Sequence, residues 1–331
     1  MHYRSIVDMS ATIVRNLHRL PGDIDLVVGI PRSGMLAANL FSLTANIQMT
    51  DLDSFVAGKV FSSGITKRSA ALGRTMAEMR RILILDDSIN GGSAMREARV
   101  RAAAAGVARD QLIFAAVYGT YERYEEADLV FEVVPQPRLF QWNVMHHKFL
   151  GQSCVDIDGV LCFDPTHEEN DDGPTYLNFL AQARPLYVPT RKIAYLVTSR
   201  LEKYRPQTAA WLAAQGVEYG ELVMLDLPSK EERQRLAAHG RFKAEFYKRS
   251  DAVLFIESEH DQAMNIAKLS GKPVLCVESQ QMISPDMLWL SEQLMQATTS
   301  EGRKAMLKAM ARTVLGETGY QALKSKMRKP A

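Results

Sequence analysis

The sequence predicts an α/β protein built from two domains. A chain of 331 residues is longer than one hydrophobic core usually serves, so two domains are the leading expectation. Short apolar runs alternate with helical patterns, and this alternation favours parallel sheets joined by crossover helices. The alternation stops in a stretch rich in proline and aromatic residues and then begins again. We therefore expect one α/β domain on each side of that stretch.

In the first domain, the expected order is strand, helix, strand, helix, strand. The strand segments are short apolar runs, and the helical segments spread their apolar residues over a longer stretch. In chain order the segments are IDLVVGI, GMLAANLFSL, RILILDD, SAMREARVRAAAAG and LIFAAVYGT. The linker PQPRLFQWNVMHHKFLG follows and has no clean period, which places the domain boundary near Leu150.

The same alternation defines the second domain, which we expect to cover residues 151–283 after a first domain of residues 1–150. Its segments are SCVDIDGVL, KIAYLVTSR, RPQTAAWLAAQG, AVLFIES, DQAMNIAKLSG and KPVLCVE. From Ser284 the pattern becomes helical, as in GRKAMLKAMARTVL. Residues 284–331 are therefore predicted to form a helical C-terminal extension.

The composition is that of an ordinary soluble protein, with 47% hydrophobic and 24% charged residues. A formal net charge of +2 argues against a nucleic-acid partner. The basic tail KSKMRKPA is either a solvated end or a peripheral contact with an anionic membrane surface. Three cysteines without metal-ligand spacing, and no apolar signal or membrane-spanning run, predict a cytoplasmic protein with reduced thiols.

A first candidate site lies in RILILDDSINGGSAM, from Arg81 to Met95, where paired carboxylates precede a turn of small residues. Backbone N–H groups in such a turn, together with the N-terminus of the next helix, favour a phosphate. Asp86 and Asp87 would repel that phosphate unless they address hydroxyl groups or a hydrated Mg²⁺. A phosphorylated ribose satisfies both demands. Taken alone, the two aspartates are also compatible with an ordinary turn.

A second turn of this kind lies upstream, in IDLVVGIPRSGMLAANLF. Together the two segments resemble the pyrophosphate loop and the ribose-phosphate signature of the type I phosphoribosyltransferases. The resemblance implies 5-phosphoribosyl 1-pyrophosphate (PRPP) as donor, Mg²⁺ as cofactor and pyrophosphate as leaving group. It implies pyrophosphate contacts from Arg32, Ser33 and Gly34, ribose contacts from Asp86 and Asp87, and a 5-phosphate cradle formed by Ser88, Asn90, Gly91, Gly92 and Ser93.

The resemblance also implies a mobile loop, AGKVFSSGITKRSAALGR, that closes over the leaving group. The basic residues of this segment are Lys59, Lys67, Arg68 and Arg74. The alternative is that these side chains are simply solvated. The phosphate turn departs from the family, because many members carry two threonines where this sequence has Gly91 and Ala94. Ser88 or Ser93 would then have to supply the missing hydroxyl.

No purine or orotate signature accompanies these motifs, so the acceptor is not named by the sequence. We expect the acceptor to be recognised by the N-terminus and by the segment RLFQWNVMHHKF. Candidates for acceptor contacts or proton removal are Trp142, Asn143, His146 and His147. The alternative is a packed linker with ordinary histidines.

A second candidate site begins at VDIDGVL, where Asp156 and Asp158 alternate along the end of a strand and project to the same side. Two such carboxylates can share a cation while one attacks and the other moves a proton. The segment resembles the first motif of the haloacid dehalogenase (HAD) superfamily phosphatases. Segments that resemble the other motifs follow in order: AYLVTSR, GRFKAEFYK and AVLFIESEHDQA.

The resemblance implies a role for each matched residue. Asp156 would form an aspartyl-phosphate, and Asp158 would serve as general acid and base. Thr198, or else Ser199, would bind the phosphoryl group. The remaining implied roles are charge neutralisation by Lys243, or else Lys248, and Mg²⁺ binding by Asp156, Asp158 and Glu257 with either Asp261 or Glu259.

The fold class implied by both resemblances is α/β, with a type I phosphoribosyltransferase-like parallel sheet followed by a HAD-like Rossmannoid domain. Asp158 to Thr198 spans about 40 residues and Thr198 to Lys243 about 45, which leaves room for only a minimal cap. An open site of this kind suits a phosphoribosyl group at the end of a long glycan.

The two activities in this order suggest consecutive steps, namely transfer of ribose 5-phosphate and removal of its phosphate. The combination resembles the bacterial systems that add ribofuranose to surface polysaccharides such as O-antigen, and it implies a β-ribofuranosyl product on a glycan or lipid-linked glycan acceptor. One alternative is a nucleoside-like small metabolite made by the same steps. Another is a first domain that only senses PRPP or a nucleotide, beside an active phosphatase.

Overall fold

The computed structural model describes residues 1–61, 78–236 and 238–286. The chain divides into two compact units, Met1–Val144 and a second unit that begins at Met145. The division lies inside the predicted linker, a few residues before Leu150. Lys67, Arg68, Arg74 and nearly all of the predicted C-terminal extension lie outside the described residues.

The first unit contains a five-stranded parallel sheet and a pair of short parallel strands. The sheet has the order β3-β2-β4-β5-β6, and β1 pairs with β7. In chain order the elements are β1 (His2–Arg4), α1 (Ile6–Asn16), β2 (Ile24–Gly29), α2 (Gly34–Ala45), β3 (Gln48–Asp51), α3 (Leu52–Val56), β4 (Arg81–Ile89), α4 (Ser93–Ala103), β5 (Leu112–Gly119), β6 (Leu129–Val133) and β7 (Arg138–Phe140).

The central strand β4 explains why RILILDD is apolar without interruption. Ile82 and Ile84 belong to the core on one face of the sheet, whereas Leu83 and Leu85 belong to the core on the other. Because successive side chains of a strand point to opposite faces, a strand covered on both faces must be apolar at every position. The apolar run ends where the carboxylates Asp86 and Asp87 begin.

The second unit contains a six-stranded sheet of order β10-β9-β8-β11-β12-β13, in which only the edge strand β13 is antiparallel. In chain order its elements are β8 (Ser153–Val155), α5 (Pro174–Gln182), β9 (Ile193–Leu201), α6 (Arg205–Ala214), β10 (Tyr219–Leu225), α7 (Lys230–Arg235), α8 (Ala238–Arg249), β11 (Leu254–Glu257), α9 (His260–Ser270), β12 (Val274–Cys276) and β13 (Gln281–Ile283).

The predicted α/β class with parallel sheets is therefore confirmed. Between β8 and β9, the described chain holds one helix, α5, and no additional sheet. The strand β8 lies between β9 and β11, so the carboxyl ends of these three strands meet at one edge of the sheet. Such an edge is where open parallel sheets bind ligands. No helix in the described part of the chain is long and apolar enough to cross a membrane.

Candidate active sites

In the first unit, Asp86 and Asp87 lie near the carboxyl end of β4, and the turn before α2 approaches them closely. Both aspartates are buried, with 8% and 7% of their surface exposed. A Cβ atom added at Gly34 would lie 2.9 Å from Asp86 Oδ1 and 2.9 Å from the Leu85 carbonyl oxygen. Only glycine allows this approach, so the sequence GIPRSG places the start of α2 against the carboxylate pair.

Trp142 is the acceptor candidate that reaches this carboxylate pair. Its Nε1–H donates a hydrogen bond of 2.8 Å to Asp87 Oδ2. The indole stacks on Phe140 with a centroid distance of 4.8 Å and an interplanar angle of 7°, and Phe140 stacks on Tyr118. The aromatic stack therefore fixes the orientation of the indole, which in turn holds one oxygen of Asp87.

Burial, together with the neighbouring charge of Asp87, raises the pKa of Asp86 to about 8. Burial also raises the pKa of Asp87, although the hydrogen bond from Trp142 opposes the change. Two adjacent buried carboxylates repel each other unless a cation or hydroxyl donors compensate them. The pair therefore fits a ligand that brings hydroxyl groups, Mg²⁺ or both.

The small-residue turn that follows β4 has the features of an anion site, but a carboxylate that would repel an anion lies beside it. Asn90, Gly91 and Ser93 are exposed, and Gly92 has a φ of +74° directly before α4. A Cβ atom at Gly92 would lie 2.7 Å from Glu126 Oε2. The Glu126 carboxylate is paired with Arg96. The predicted phosphate cradle thus has a carboxylate beside it, which the sequence motif did not indicate.

The other residues predicted to bind PRPP are open to solvent or only partly covered. Arg32 is exposed and Ser33 partly buried, directly before α2. Ser88 is partly buried within β4. Lys59 is exposed in the loop after α3, and its backbone N–H donates to the Ser54 carbonyl oxygen over 2.8 Å.

The structure does not bring the four acceptor candidates into one cluster within either unit. Asn143 belongs to the first unit, and its buried Oδ1 has no hydrogen-bond partner among the described residues. His146 and His147 belong to the second unit. His146 Nδ1 lies 3.0 Å from Thr190 Oγ1, and the His147 ring stacks on Phe149 with a centroid distance of 5.1 Å. Burial lowers the pKa of His147.

Sequence reasoning missed Arg138, which lies between apolar residues in PQPRLF. Its guanidinium is buried and donates a hydrogen bond of 2.9 Å to the carbonyl oxygen of Ile89, at the end of β4. Burial lowers the pKa of Arg138, and the charge of Asp87 acts in the opposite direction. A cation inside an apolar linker was the signal that could have pointed to it.

In the second unit, a polar cavity of about 280 Å³ lies at the carboxyl edge of the sheet. Most of the residues predicted for the phosphatase site line it. The lining residues are Asp156, Asp158, Asp164, Pro165, Asn170, Tyr176, Thr198, Ser199, Arg233, His239, Lys243, Ser258, Glu259 and Gln262.

Lys243 bridges two buried carboxylates at the base of this site. Its Nζ lies 2.6 Å from Asp156 Oδ2 and 2.8 Å from Glu257 Oε2. The three side chains are almost completely buried, with at most 6% of any of them exposed. Burial raises the pKa of Asp156 well above its ordinary value, against the attraction of Lys243. One cation thus compensates two carboxylates, and the cluster remains short of positive charge.

Asp158 is held by a different cation, Arg200, which sequence reasoning missed. Arg200 is fully buried, its Nη2 lies 2.6 Å from Asp158 Oδ1, and its Nε lies 3.1 Å from Asp158 Oδ2. Although burial favours the neutral acid, the ion pair with Arg200 lowers the pKa of Asp158. Arg200 stands two positions after Thr198 in VTSR, and its placement at the end of β9 was the available signal.

The alternatives that the motifs left open differ in where their residues lie. Thr198 and Ser199 both line the cavity, and Thr198 is fully buried. Lys248 is exposed in the last turn of α8, away from the cavity that contains Lys243. Asp261 is exposed on α9 and does not line the cavity, whereas Glu259 does. Of the acidic residues after Glu257, Glu259 is therefore better placed than Asp261 to face a ligand.

The negative charge of this cavity suits a metal ion, although the described residues do not form a complete set of metal ligands. Within residues 1–61, 78–236 and 238–286, no three His, Cys, Asp or Glu side chains are arranged to hold a metal. Mg²⁺, however, usually keeps several waters and takes one or two carboxylates together with substrate phosphate oxygens. Asp156 and Glu257 share a single cation, and their other oxygens accept hydrogen bonds from Ile157 and Ser258. A hydrated Mg²⁺ would therefore supply positive charge that this carboxylate pair lacks.

We expect Arg200→Gln to lower the free energy of unfolding by about 3–5 kcal/mol, because Asp158 would be left as a largely buried charge without its cation. Arg241→Gln is the matched control, since it breaks an exposed pair with Glu245 and should cost less than about 0.5 kcal/mol. Urea denaturation at neutral pH compares the two. The loss in the Arg200 variant should shrink as the pH falls through the lowered pKa of Asp158, where the ion pair also disappears in the wild type. Equal losses in the two variants would mean that the buried pair does not stabilise the fold.

No protein-family model matches the chain, and no curated protein matches it. Among solved structures, it is similar to a xanthine-guanine-hypoxanthine phosphoribosyltransferase from Helicobacter pylori, with 16% identity over 43% of this chain and 95% of that one and a TM-score of 0.30. A purine phosphoribosyltransferase from Pyrococcus horikoshii shares 14% identity over 43% and 92%, with a TM-score of 0.30. A hypothetical protein from Neisseria gonorrhoeae with bound ppGpp shares 13% identity over 43% and 90%, again with a TM-score of 0.30. The similarity covers less than half of the chain.

Proposed function

We propose that this protein is a bifunctional enzyme that transfers ribose 5-phosphate from PRPP to an acceptor and then removes the 5-phosphate. The observation that carries the proposal is the cavity in which Lys243 joins Asp156 to Glu257 beside the Asp158–Arg200 pair. A positioned nucleophile surrounded by compensating charges is what phosphoryl transfer requires.

In the dephosphorylation step, a carboxylate oxygen of Asp156 attacks the phosphorus atom, and the bond between phosphorus and the ribose oxygen breaks. The departing oxygen gains a proton from Asp158. Water then attacks the aspartyl-phosphate, gives its proton to Asp158 and releases inorganic phosphate and Asp156. Lys243 and Thr198 stabilise the charge on the phosphoryl oxygens. Mg²⁺, held by Asp156 and Glu257 with waters, would neutralise further charge on the phosphoryl group.

Because Arg200 keeps Asp158 ionised, the proton that the leaving oxygen needs has to reach Asp158 first. The bound phosphoryl group would favour this protonation of Asp158, because a nearby dianion raises the pKa of a carboxyl group. Arg200 would then limit the rise in the pKa of Asp158 and hold its carboxyl group in place. Asp158 can therefore act as acid in the first half of the reaction and as base in the second.

In the transfer step, the acceptor displaces pyrophosphate from the anomeric carbon of PRPP. The buried pair Asp86 and Asp87 would bind the ribose hydroxyl groups, and the turn before α4 would bind the 5-phosphate. The start of α2, with Arg32 and Ser33, would face the pyrophosphate. The contact between Gly34 and Asp86 supports this arrangement, because it brings the two predicted anion turns to one edge of the sheet.

We propose a glycan or lipid-linked glycan as the acceptor, because a ribosyl unit without phosphate is useful there and not in nucleotide synthesis. The single helix between β8 and β9 leaves the phosphatase cavity without a cap domain in the described chain, which suits a bulky substrate. A nucleoside-like small metabolite made by the same steps is the second candidate. A third is a first unit that senses PRPP or a nucleotide, which the carboxylate of Glu126 beside the phosphate turn favours.

We expect the enzyme to dephosphorylate ribose 5-phosphate on an oligosaccharide with a kcat/KM at least about tenfold above that for a mononucleotide, because an open cavity gains binding energy from the rest of a long substrate. Steady-state kinetics on the two substrates make the comparison, with the Asp156→Asn variant as the blank. A preference for the mononucleotide would favour the nucleoside-like product instead.

The sensor alternative is tested on the full chain by calorimetry with PRPP and Mg²⁺, alongside a pyrophosphate-release assay with a panel of acceptors. Mass spectrometry of the products identifies the acceptor that gains a ribosyl unit. PRPP binding without pyrophosphate release for any acceptor would favour the sensor over the transferase.

A further inference from the structure

Arg233 is a cation of the phosphatase cavity that no sequence motif pointed to. It stands in α7, in the stretch SKEERQRL, whose pattern predicts only a helix start with Ser229 as its cap. That cap is present, since Ser229 Oγ accepts a hydrogen bond of 3.3 Å from the backbone N–H of Glu232. The helix turns Arg233 inward, where the residue is 8% exposed and lines the cavity.

The guanidinium of Arg233 is incompletely satisfied. Its Nη1 donates a hydrogen bond of 2.8 Å to the carbonyl oxygen of Ser199, the residue directly after Thr198. Its Nε is buried and has no hydrogen-bond partner in the described part of the chain. The hydroxyl of Ser199, the residue whose carbonyl oxygen Arg233 contacts, is also buried without a partner there. Leaving buried donors unpaired costs free energy, and a ligand that accepts from both would recover it.

Arg233 also differs in charge balance from the other cations of the site. Lys243 is paired with two carboxylates and Arg200 with one, whereas no described carboxylate lies within ion-pair distance of Arg233. Arg233 is therefore the cavity-lining cation, within the described residues, whose charge is not already compensated. A dianion that enters a cavity lined by Asp156, Asp158 and Glu259 needs such a charge.

The environment of His239 is consistent with a positive potential on this side of the cavity. Burial, together with the charges of Arg233 and Lys243, lowers the pKa of His239 to about 4. A neutral imidazole next to an uncompensated guanidinium leaves the guanidinium free for an anion from solution.

Resting on the proposed phosphatase activity, we infer that Arg233, together with the Ser199 hydroxyl, binds the phosphoryl oxygens of the phosphomonoester substrate. The guanidinium fork matches two oxygens of one phosphate, and its hydrogen bond to the Ser199 carbonyl fixes it next to Thr198. Arg233 thus acts as a substrate-binding residue and takes no proton.

The test compares Arg233→Gln, Arg233→Lys and Arg235→Gln in the full-length protein. Arg235 lies two residues further along α7, is exposed and pairs with Glu232, so it controls for changes in the helix itself. The measured constants are KM and kcat for p-nitrophenyl phosphate and the inhibition constant of inorganic phosphate, each with the melting temperature of the variant. The wild type must first show hydrolysis that Asp156→Asn abolishes; absence of that activity counts against the phosphatase and not against Arg233.

We expect Arg233→Gln to raise both KM and the phosphate inhibition constant roughly 10- to 100-fold, the range for losing a hydrogen bond to a charged group. Arg233→Lys should recover part of the loss, because it keeps the charge without the fork. Arg235→Gln should leave all constants within about twofold of the wild type. A folded Arg233→Gln variant with unchanged KM and unchanged phosphate inhibition would overturn the inference, and so would a raised KM with unchanged phosphate inhibition. Should that variant not fold, the two constants in Arg233→Lys decide: an increase supports the inference and no change refutes it.

Discussion

We expect Asp156→Asn to lower the rate of dephosphorylation by about 10³-fold or more, while phosphoribosyl transfer continues. The amide has nearly the shape of the carboxylate but cannot form the aspartyl-phosphate. A product heavier by one phosphate than the normal product should therefore accumulate, and mass spectrometry of the reaction mixture would detect it. Because Lys243 keeps its second partner, Glu257, the variant should fold.

The control for this experiment is Asp226→Asn, which changes an exposed aspartate directly after β10, at the same edge of the sheet but outside the cavity. It should retain both activities. The variant at Asp156 should also be at least as stable as the wild type, because burial makes the ionised form of Asp156 costly. Normal release of the dephosphorylated product by Asp156→Asn would remove Asp156 from the role of nucleophile.

The second large effect should come from the double variant Asp86→Ala with Asp87→Ala, in which we expect no pyrophosphate release. The two carboxylates would no longer hold the ribose hydroxyl groups of PRPP. Hydrolysis of p-nitrophenyl phosphate by the second unit should be unchanged, which makes it an internal control for folding. Unchanged pyrophosphate release would contradict the assignment of Asp86 and Asp87 to PRPP.

The same double variant should alter the dependence of stability on pH. Because burial raises the pKa of Asp86 from 3.8 to about 8, the folded wild type binds more protons than the unfolded chain between these values and loses stability as the pH rises. Without the pair, the part of this loss that Asp86 causes should disappear. The control Asp110→Ala, an exposed aspartate just before β5, should keep the wild-type profile in urea denaturation from pH 5 to about pH 8. A double variant that follows the wild-type profile would show that the pKa of Asp86 is not raised in the folded state.

The sequence by itself determined the α/β class and the positions of the buried carboxylates at the strand ends, because both follow from neighbours along the chain. An uninterrupted apolar run such as ILIL in β4 requires a strand covered on both faces, and Asp86 and Asp87 follow it directly. Likewise, the alternation in VDID places Asp156 and Asp158 on one side of the chain after β8. The two-residue period of a strand and the place where its apolar run ends are enough to locate both pairs of carboxylates.

Which cation or aromatic residue serves each carboxylate was decided only by the tertiary structure. Lys243 reaches Asp156 across 87 residues, Trp142 reaches Asp87 across 55, and Arg200 reaches Asp158 across 42. Motif resemblance predicted Lys243, but Arg200 and Arg233 looked like ordinary charged residues of a strand end and a helix. Their roles depend on the strand order β9-β8-β11 and on how α7 packs, because these features bury the two guanidinium groups. A buried ion pair or a buried unpaired guanidinium strongly affects stability and ligand binding, whereas the same side chain on the surface would have little effect.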